Sequence, residues 1–316
     1  MDLSVIIVCH KGWPRLLKCL DSLAAIRYQG FSFEVIVVDN NSGDNEIERI
    51  RERYRSFTFI LNTINGGFSY GCNTGARNAS GKFLLFLNPD TVVTGEAFAG
   101  LLKVKEGNPD FTILSCRQVN ETGRETHATA DFPSFSNLTG IQRSLFGRKK
   151  ATGNNEVSFP DWVSGSLILM TGREFLATGG FDEDFWMYFE DVDLCRRVTG
   201  SGGKVAFHRN ITIEHNHGGS SRVNLKTASL TKTEVMISRH VYFSKHSRGL
   251  NRMFIETFMV VNNLITCAVM AITGLIMFFI PKAFVRVQVF TRLCSYYLAA
   301  LSRMTWISPR AVRRLP

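Results

Sequence analysis

Over roughly its first third the chain alternates short apolar, β-branched runs with stretches of helical spacing, and this alternation restricts the fold more than any other feature. Runs at residues 4–8, 33–38, 57–60, 83–87 and 111–114 have strand length, and helices are expected around residues 14–26, 45–54, 70–79 and 95–105. Strands that read as unbroken apolar runs are buried on both faces, which predicts a parallel sheet covered by helices on each side. Leu16, Leu17, Leu20 and Leu23, and Ile47 with Ile50, supply the apolar stripes such covering helices need. Sheets of this kind hold ligands outside the carboxyl ends of their strands.

From residue 117 to 159 the periodicity gives way to a polar stretch with scattered glycines and the basic run Arg148-Lys149-Lys150. A loop this long is expected to be functional. Order resumes at residues 162–170, a strand with a small-residue interruption at Ser164-Gly165-Ser166, where a ligand or backbone can approach closely. Two short strands (204–207 and 211–214), a histidine- and glycine-rich loop and a helical stretch to residue 246 follow. Residues 1–245 therefore read as one α/β domain and residues 246–316 as an appendage.

Most of the net charge of +10 resides in that appendage, where residues 246–316 hold nine Lys/Arg against the single acid Glu256, a local +8 that leaves +2 for residues 1–245. Its basic residues are interleaved with apolar ones, and residues 257–280 carry no charge, a length sufficient to cross a bilayer as a helix. Anionic lipid therefore fits this tail better than nucleic acid does. Residues 283–301 have an interfacial composition, and basic residues at both ends of the apolar stretch give no single-span orientation, leaving a crossing, a hairpin and an in-plane helix open. Val5-Ile6-Ile7-Val8 follows Asp2 and is too short for a signal sequence, so it reads as a strand. The seven cysteines are an odd number without a C-x-x-C pair and are expected to be reduced.

The candidate site residues cluster at predicted strand ends. Asn88-Pro89-Asp90 follows an apolar strand, where a carboxylate can hold a divalent cation carrying a diphosphate, although such an Asp also serves as a turn or cap residue. Cys9 and His10 end the first strand, and Asp39 with Asn41 ends its neighbour, so both would line one crevice. Gly66-Gly67 opens a helix that contains Asn73 and Arg77, a place where free N–H groups accept an anion. The chain has no G-x-G-x-x-G fingerprint and no Walker lysine motif, which argues against hydride transfer and a P-loop ATPase. His215 or His217 is a possible partner of Asp90 in a mixed N/O metal site. Residues 179–194 set six acids among aromatics, and crowded, partly desolvated carboxylates suit a general base. Glu190 and Asp193 could equally stabilise a helix N-terminus.

With these motifs together, residues 3–245 resemble the family-two inverting glycosyltransferases of GT-A fold. The resemblance rests on residues 4–12, Val38-Asp39-Asn40-Asn41-Ser42, Asn65-Gly66-Gly67-Phe68, Phe86-Leu87-Asn88-Pro89-Asp90 and the run from Gly180 to Arg196. Asp161-Trp162-Val163-Ser164-Gly165-Ser166 and Phe185-Trp186-Met187-Tyr188-Phe189-Glu190-Asp191-Val192-Asp193-Leu194-Cys195 are most similar to the bacterial rhamnosyltransferases of surface-glycan assembly. The resemblance implies a mostly parallel sheet flanked by helices, a C-terminal membrane-associated segment and a divalent cation, Mg²⁺ or Mn²⁺. It implies that Asp191 is the base, that Asp90 and His215 hold the metal, and that Cys9, His10, Asp39, Asn41, Gly67, Asn73, Arg77, Asn88, Asp90 and Gly165 line the donor site. Trp162, Trp186 and Glu190 would face the acceptor. Where relatives carry D-x-D, this chain has Asn88 and a lone Asp90, which points to weak metal affinity. The implied donor is dTDP-rhamnose, with a UDP-sugar for hexosyl or galactofuranosyl transfer as the alternative. The implied acceptor is a polyprenyl-diphosphate-linked glycan at the cytoplasmic face of the bacterial inner membrane. An oligomer is compatible with the sequence, and a non-catalytic scaffold that binds sugar nucleotides is the reading from another class.

Overall fold

The computed structural model describes residues 1–27, 30–138, 155–216, 224–277 and 279–312. Its strands are β1 (Leu3–Cys9), β2 (Phe33–Asp39), β3 (Thr58–Leu61), β4 (Phe83–Leu87), β5 (Thr91–Val92), β6 (Ile113–Val119), β7 (Thr129–Ala130), β8 (Val157–Ser158), β9 (Trp162–Val163), β10 (Leu167–Thr171) and β11 (Val205–His215). The helices are α1 (Trp13–Ala24), α2 (Glu46–Arg53), α3 (Gly67–Arg77), α4 (Gly95–Gly107), α5 (Phe135–Leu138), α6 (Gly172–Ala177), α7 (Glu190–Gly200), α8 (Leu225–His246), α9 (Gly249–Ile276) and α10 (Pro281–Arg303). The His217 loop and the 148–150 basic run lie outside the described residues.

The chain divides into two compact units. One comprises Met1–Asn65, Gly71–Phe181 and Asp191–His217, and the other Gly66–Tyr70, Asp182–Glu190 and Gly218–Pro316. Helix α8 falls in the second unit with α9 and α10.

In the first unit the strands run β3-β2-β1-β4-β10-β6-β11-β5, with β8 beside β11. All seven residues of β1 are buried, as a central strand requires. It pairs in parallel with β2 (Leu3↔Phe33 to Cys9↔Asp39) on one side and with β4 (Leu3↔Phe83 to Ile7↔Leu87) on the other. The chain leaves β1 toward β2 and β3 and then returns to its opposite flank as β4. That reversal opens a crevice beyond the carboxyl ends of β1 and β4, where His10 and Asp90 emerge.

Beyond β4 the sheet is mixed. β10 runs antiparallel to β4 and β6, and β11 is parallel to β6 but antiparallel to β5 and β8. The expected strand 162–170 is two pieces, with β9 in a separate ribbon with β7 and β10 in the main sheet. The expected strands 204–207 and 211–214 are one, interrupted by a bulge between His208 and Thr212.

Helix α1 carries Pro14 in its first turn and buries Leu16, Cys19, Leu20 and Leu23. In α4 the Thr94 side chain accepts from the Ala97 N–H at 3.2 Å, and Phe98 and Leu101 enter the core. A capping box closes α6, in which Thr171 and Glu174 satisfy each other's backbone N–H groups. Glu174 also pairs with the Lys105 ammonium at 2.8 Å. Burial pulls the Lys105 pKa down against that carboxylate's attraction.

Candidate active site

Asp90 follows β4 by three residues, and its two carboxylate oxygens meet different partners. Oδ1 lies 3.2 Å from His215 Nε2 and Oδ2 lies 3.6 Å from the Arg15 guanidinium. His215 reaches Asp90 because it ends β11, whose last residue pairs with Thr91 of β5. Its other ring nitrogen, Nδ1, is 2.8 Å from Gln118 Oε1. With that amide oxygen accepting, Nδ1 bears the proton and Nε2 turns its lone pair toward Asp90. A lone pair facing a carboxylate oxygen is relieved by a cation between them, so the donor set fits a divalent ion with one oxygen and one imidazole ligand. Among the described residues no group of three or more His, Cys, Asp or Glu side chains converges. A metal here would take its remaining ligands from substrate and water.

Asp90 also lines a cleft of about 290 Å³ together with Arg15, Lys18, Asn120, Glu121 and Asn216. Arg15 donates to the Asn216 carbonyl, and Asn216 N–H donates to the Asp90 carbonyl at 3.0 Å. Neither Arg15 nor Gln118 stood out in the sequence. Arg15 is one of two cations on an amphipathic helix, and Gln118 an ordinary position in a strand.

Asp191 differs from the other acids of its run. Asp193 is buried against the Arg197 guanidinium at 2.8 Å, and Arg197 also binds the Thr178 and Gly180 carbonyls. In the second unit Asp182 and Asp184 both hold the Lys245 ammonium. Asp191 accepts from two backbone N–H groups, Gly165 and Val192, each at 2.8 Å. Burial outweighs those hydrogen bonds and raises its carboxyl above the ordinary value of 3.8. An acid held by N–H groups, not by a cation, and pushed toward protonation is suited to accept a proton.

One segment, Ser164-Gly165-Ser166, touches both ends of this site. Gly165 donates to Asp191, the Ser166 hydroxyl donates to Gln118 Oε1 at 2.8 Å, and the Ser166 carbonyl accepts from Asn88 N–H at 3.0 Å. Gln118 in turn meets His215. The small residues seen in the sequence therefore form a clasp between the Asp191 loop and the Asp90–His215 pair.

Other expected donor residues have partners within the protein. Both carboxylate oxygens of Asp39 accept from Ser42, its hydroxyl at 2.5 Å and its N–H at 3.2 Å, so this buried side chain holds the turn after β2. The Cys9 thiol is buried beneath it, 4.0 Å from Oδ1. The Asn73 amide is committed to Phe181, donating to its carbonyl at 2.8 Å and accepting its N–H at 3.0 Å. Arg77 ends α3, and β4 begins six residues later beside Leu3. That places Arg77 at the amino ends of the strands, away from the crevice, where it donates to Thr74. His10 and Asn41 remain exposed at the crevice, bonded to the Asn40 and Thr63 carbonyls. Trp162 is half-buried and donates to the Asp131 carbonyl at 3.0 Å.

Gly67, Trp186 and Glu190 belong to the second unit. Gly67 has φ +88°, and a Cβ there would lie 1.9 Å from the Trp186 carbonyl. Its lack of a side chain lets the two chain segments pack this closely. Trp186 is buried beneath the Arg310 guanidinium, and Glu190 is buried at the start of α7. Tyr188 (φ +70°) and Phe189 (φ +68°) precede it in left-handed conformation, and Lys11 (+61°) and Asn41 (+56°) do the same after β1 and β2. Non-glycine backbone strain at these positions marks functional loops in general.

Residues 4–161 match the glycosyl transferase family 2 domain. The chain belongs to that family. It is 26% identical over 221 residues to rhamnosyltransferase WbbL of Escherichia coli K12, a match covering 65% of this chain and 81% of WbbL. To the O-antigen biosynthesis protein RfbC of Myxococcus xanthus it is 30% identical over 233 residues, which is 69% of this chain and 18% of RfbC. In fold it is similar to the Pyrobaculum calidifontis mannosyltransferase PcManGT, solved with GDP-Man and Mn²⁺. That match has a TM-score of 0.54 at 16% identity and covers 96% of this chain and 86% of the other. As a member of family 2 the protein is a glycosyltransferase, built on the GT-A fold.

Proposed function

We propose that this glycosyltransferase moves L-rhamnose from dTDP-rhamnose, with inversion, to a hydroxyl of a polyprenyl-diphosphate-linked glycan at the cytoplasmic face of the bacterial inner membrane. The observation that carries the mechanism is the clasp at Ser164-Gly165-Ser166, which bonds Asp191 through Gly165 and the His215–Asp90 pair through Gln118. Asp191 takes the proton of the acceptor hydroxyl as that oxygen bonds to the anomeric carbon. On the opposite face the bond from that carbon to the diphosphate oxygen breaks. The Gly165 and Val192 N–H groups fix the Asp191 carboxylate in place, and its raised pKa brings base strength closer to the operating pH. Asp90 and His215 would hold Mg²⁺ or Mn²⁺, which when bound neutralises charge gathering on the departing diphosphate. His10 and Asn41, exposed at the crevice, would meet the nucleotide. Similarity to WbbL supports the choice of donor.

The test is a screen of activated sugars with the purified full chain, with and without a divalent ion, read as nucleoside diphosphate release and transfer to a lipid-linked acceptor. Metal-dependent turnover of dTDP-rhamnose is expected. A preference for a UDP-sugar replaces the donor assignment by hexosyl or galactofuranosyl transfer, and turnover indifferent to a chelator overturns the metal assignment.

A further inference from the structure

Within the C-terminal unit α8 and α10 each pack antiparallel to α9 and also against each other, and α9 has two unlike faces. Its inner face buries Ile255, Glu256, Met259, Cys267, Ala271 and Gly274. Glu256 bonds His240 of α8, and Asn263 donates to the Tyr297 hydroxyl of α10 at 2.9 Å. Near the hairpin turn a Cβ on Gly274 would lie 2.7 Å from the Ala283 carbonyl, so the two helices approach backbone to backbone there.

The outer face is a continuous ridge of Phe254, Val261, Ile265, Val269, Ile272 and Ile276, each at least half exposed. Their spacings of seven, four, four, three and four put them on one side of the helix. The ridge extends for roughly 33 Å at 1.5 Å per residue. Exposed Asn262 and Thr266 lie about a quarter-turn from it.

Helix α10 has no matching ridge, since its exposed positions mix Phe284, Leu298 and Leu301 with Thr291, Ser295 and Ser302. It also carries Arg286 and Arg292, and among the described residues only α9 is long and apolar enough to cross a membrane. If α9 stood upright in a bilayer, the packing would draw in the His240–Glu256 pair and both arginines, groups that hydrocarbon strongly disfavours. Lying flat, α9 sinks only its ridge, and Asn262 and Thr266 reach the headgroups. Exposed Arg248, Arg252, Lys282 and Arg303 flank the hairpin, and the tail's one acid, Glu256, is buried. That charge selects an anionic surface.

We infer that α9 is an in-plane membrane anchor, seating its apolar ridge in the acyl layer of an anionic leaflet without crossing it. This deepens the membrane part of the proposed function and is independent of the donor sugar.

The test uses the full chain in flotation with vesicles of phosphatidylcholine alone or with phosphatidylglycerol. Binding should require the anionic lipid and weaken with salt. The Ile265→Glu/Ile272→Glu pair should lose about tenfold or more in partitioning. Nucleoside diphosphate release in vesicle-free buffer should be unchanged in that variant, which tells a lost anchor from an unfolded chain or a misread activity. Ile265→Leu should bind as wild type. Depth is read separately from tryptophan placed at Val261, Val269 or Ile276, as the change from wild type in quenching by brominated lipids. Equal, shallow depths at the three positions support the in-plane anchor, and depths that progress along the helix overturn it in favour of a crossing. Vesicle binding indifferent to lipid charge overturns it, as does a vesicle-free dimer that covers the ridge and leaves no lipid binding.

Discussion

Two buried histidines, one in each unit, have nearly the same chemistry and different consequences. His215 lies against the Asp90 carboxylate and the Gln118 amide, and His240 against the Glu256 carboxylate and the Tyr297 hydroxyl. Around His240 the surroundings are closed. Trp306 stacks on the ring with centroids 4.6 Å apart, and the His240 and Glu256 side chains are 0% and 6% exposed. Around His215 the partner carboxylate is 12% exposed and lines a cleft that also contains Arg15 and Lys18. A buried histidine–carboxylate pair is therefore not in itself a mark of chemistry. The carboxylate's access to a cleft, on a loop beyond a strand's carboxyl end, distinguishes the pair proposed to hold the metal from the pair that fastens three helices together.

Substitutions can break this contrast. Asp90→Ala should reduce kcat/KM by about a hundredfold or more, since several kcal/mol of charge stabilisation are lost, and leave the unfolding temperature close to wild type. The reverse holds for His240→Ala. It strands the Glu256 carboxylate and should cost about 3–5 kcal/mol in denaturant unfolding, with turnover per folded molecule preserved. If His240→Ala instead removes activity from a stable protein, the contrast is lost. Gln118→Leu sharpens the comparison, because it removes the acceptor that sets the His215 tautomer. Mn²⁺ affinity measured by calorimetry should fall by about 10- to 100-fold.

The smallest effect is thermal. Burial holds the Asp191 carboxyl above its ordinary 3.8, so the stability that accompanies its protonated form is complete below that value and is lost as pH rises through the raised one. Asp191→Asn carries no such charge. The variant should unfold at a higher temperature than wild type at neutral pH, and the gap should close as the pH falls toward 3.8.

Much of the sheet was legible because continuous apolar runs fix strands whatever surrounds them. Residues 83–87 form β4 as expected, and α1 and α4 lie within two residues of their anticipated ends. Periodicity carries no strand direction, so nothing in Leu167–Thr171 announced that β10 runs antiparallel to β4. Arg209-Asn210 reads as a turn, yet the Arg209 N–H bonds the Glu156 carbonyl at 2.8 Å and the strand continues past a bulge. At the site, Asp90, His215, Asp191 and Gly165 were visible as motif residues. Gln118 was not, because its importance comes from a contact 97 residues away, which no local pattern records. The structural partners of Asn73 and Asp39 were equally invisible: the Asn73 amide bonds Phe181, 108 residues away, and the Asp39 carboxylate bonds Ser42.

The central claim is that Asp191 removes the acceptor proton at a site whose donor end is held by Asp90 and His215. It is tested most directly by measuring donor binding and transfer on the same preparation of Asp191→Asn. The account predicts donor affinity close to wild type and turnover lower by about 10²–10⁴-fold. Turnover near wild type, or turnover lost together with donor binding, would contradict it.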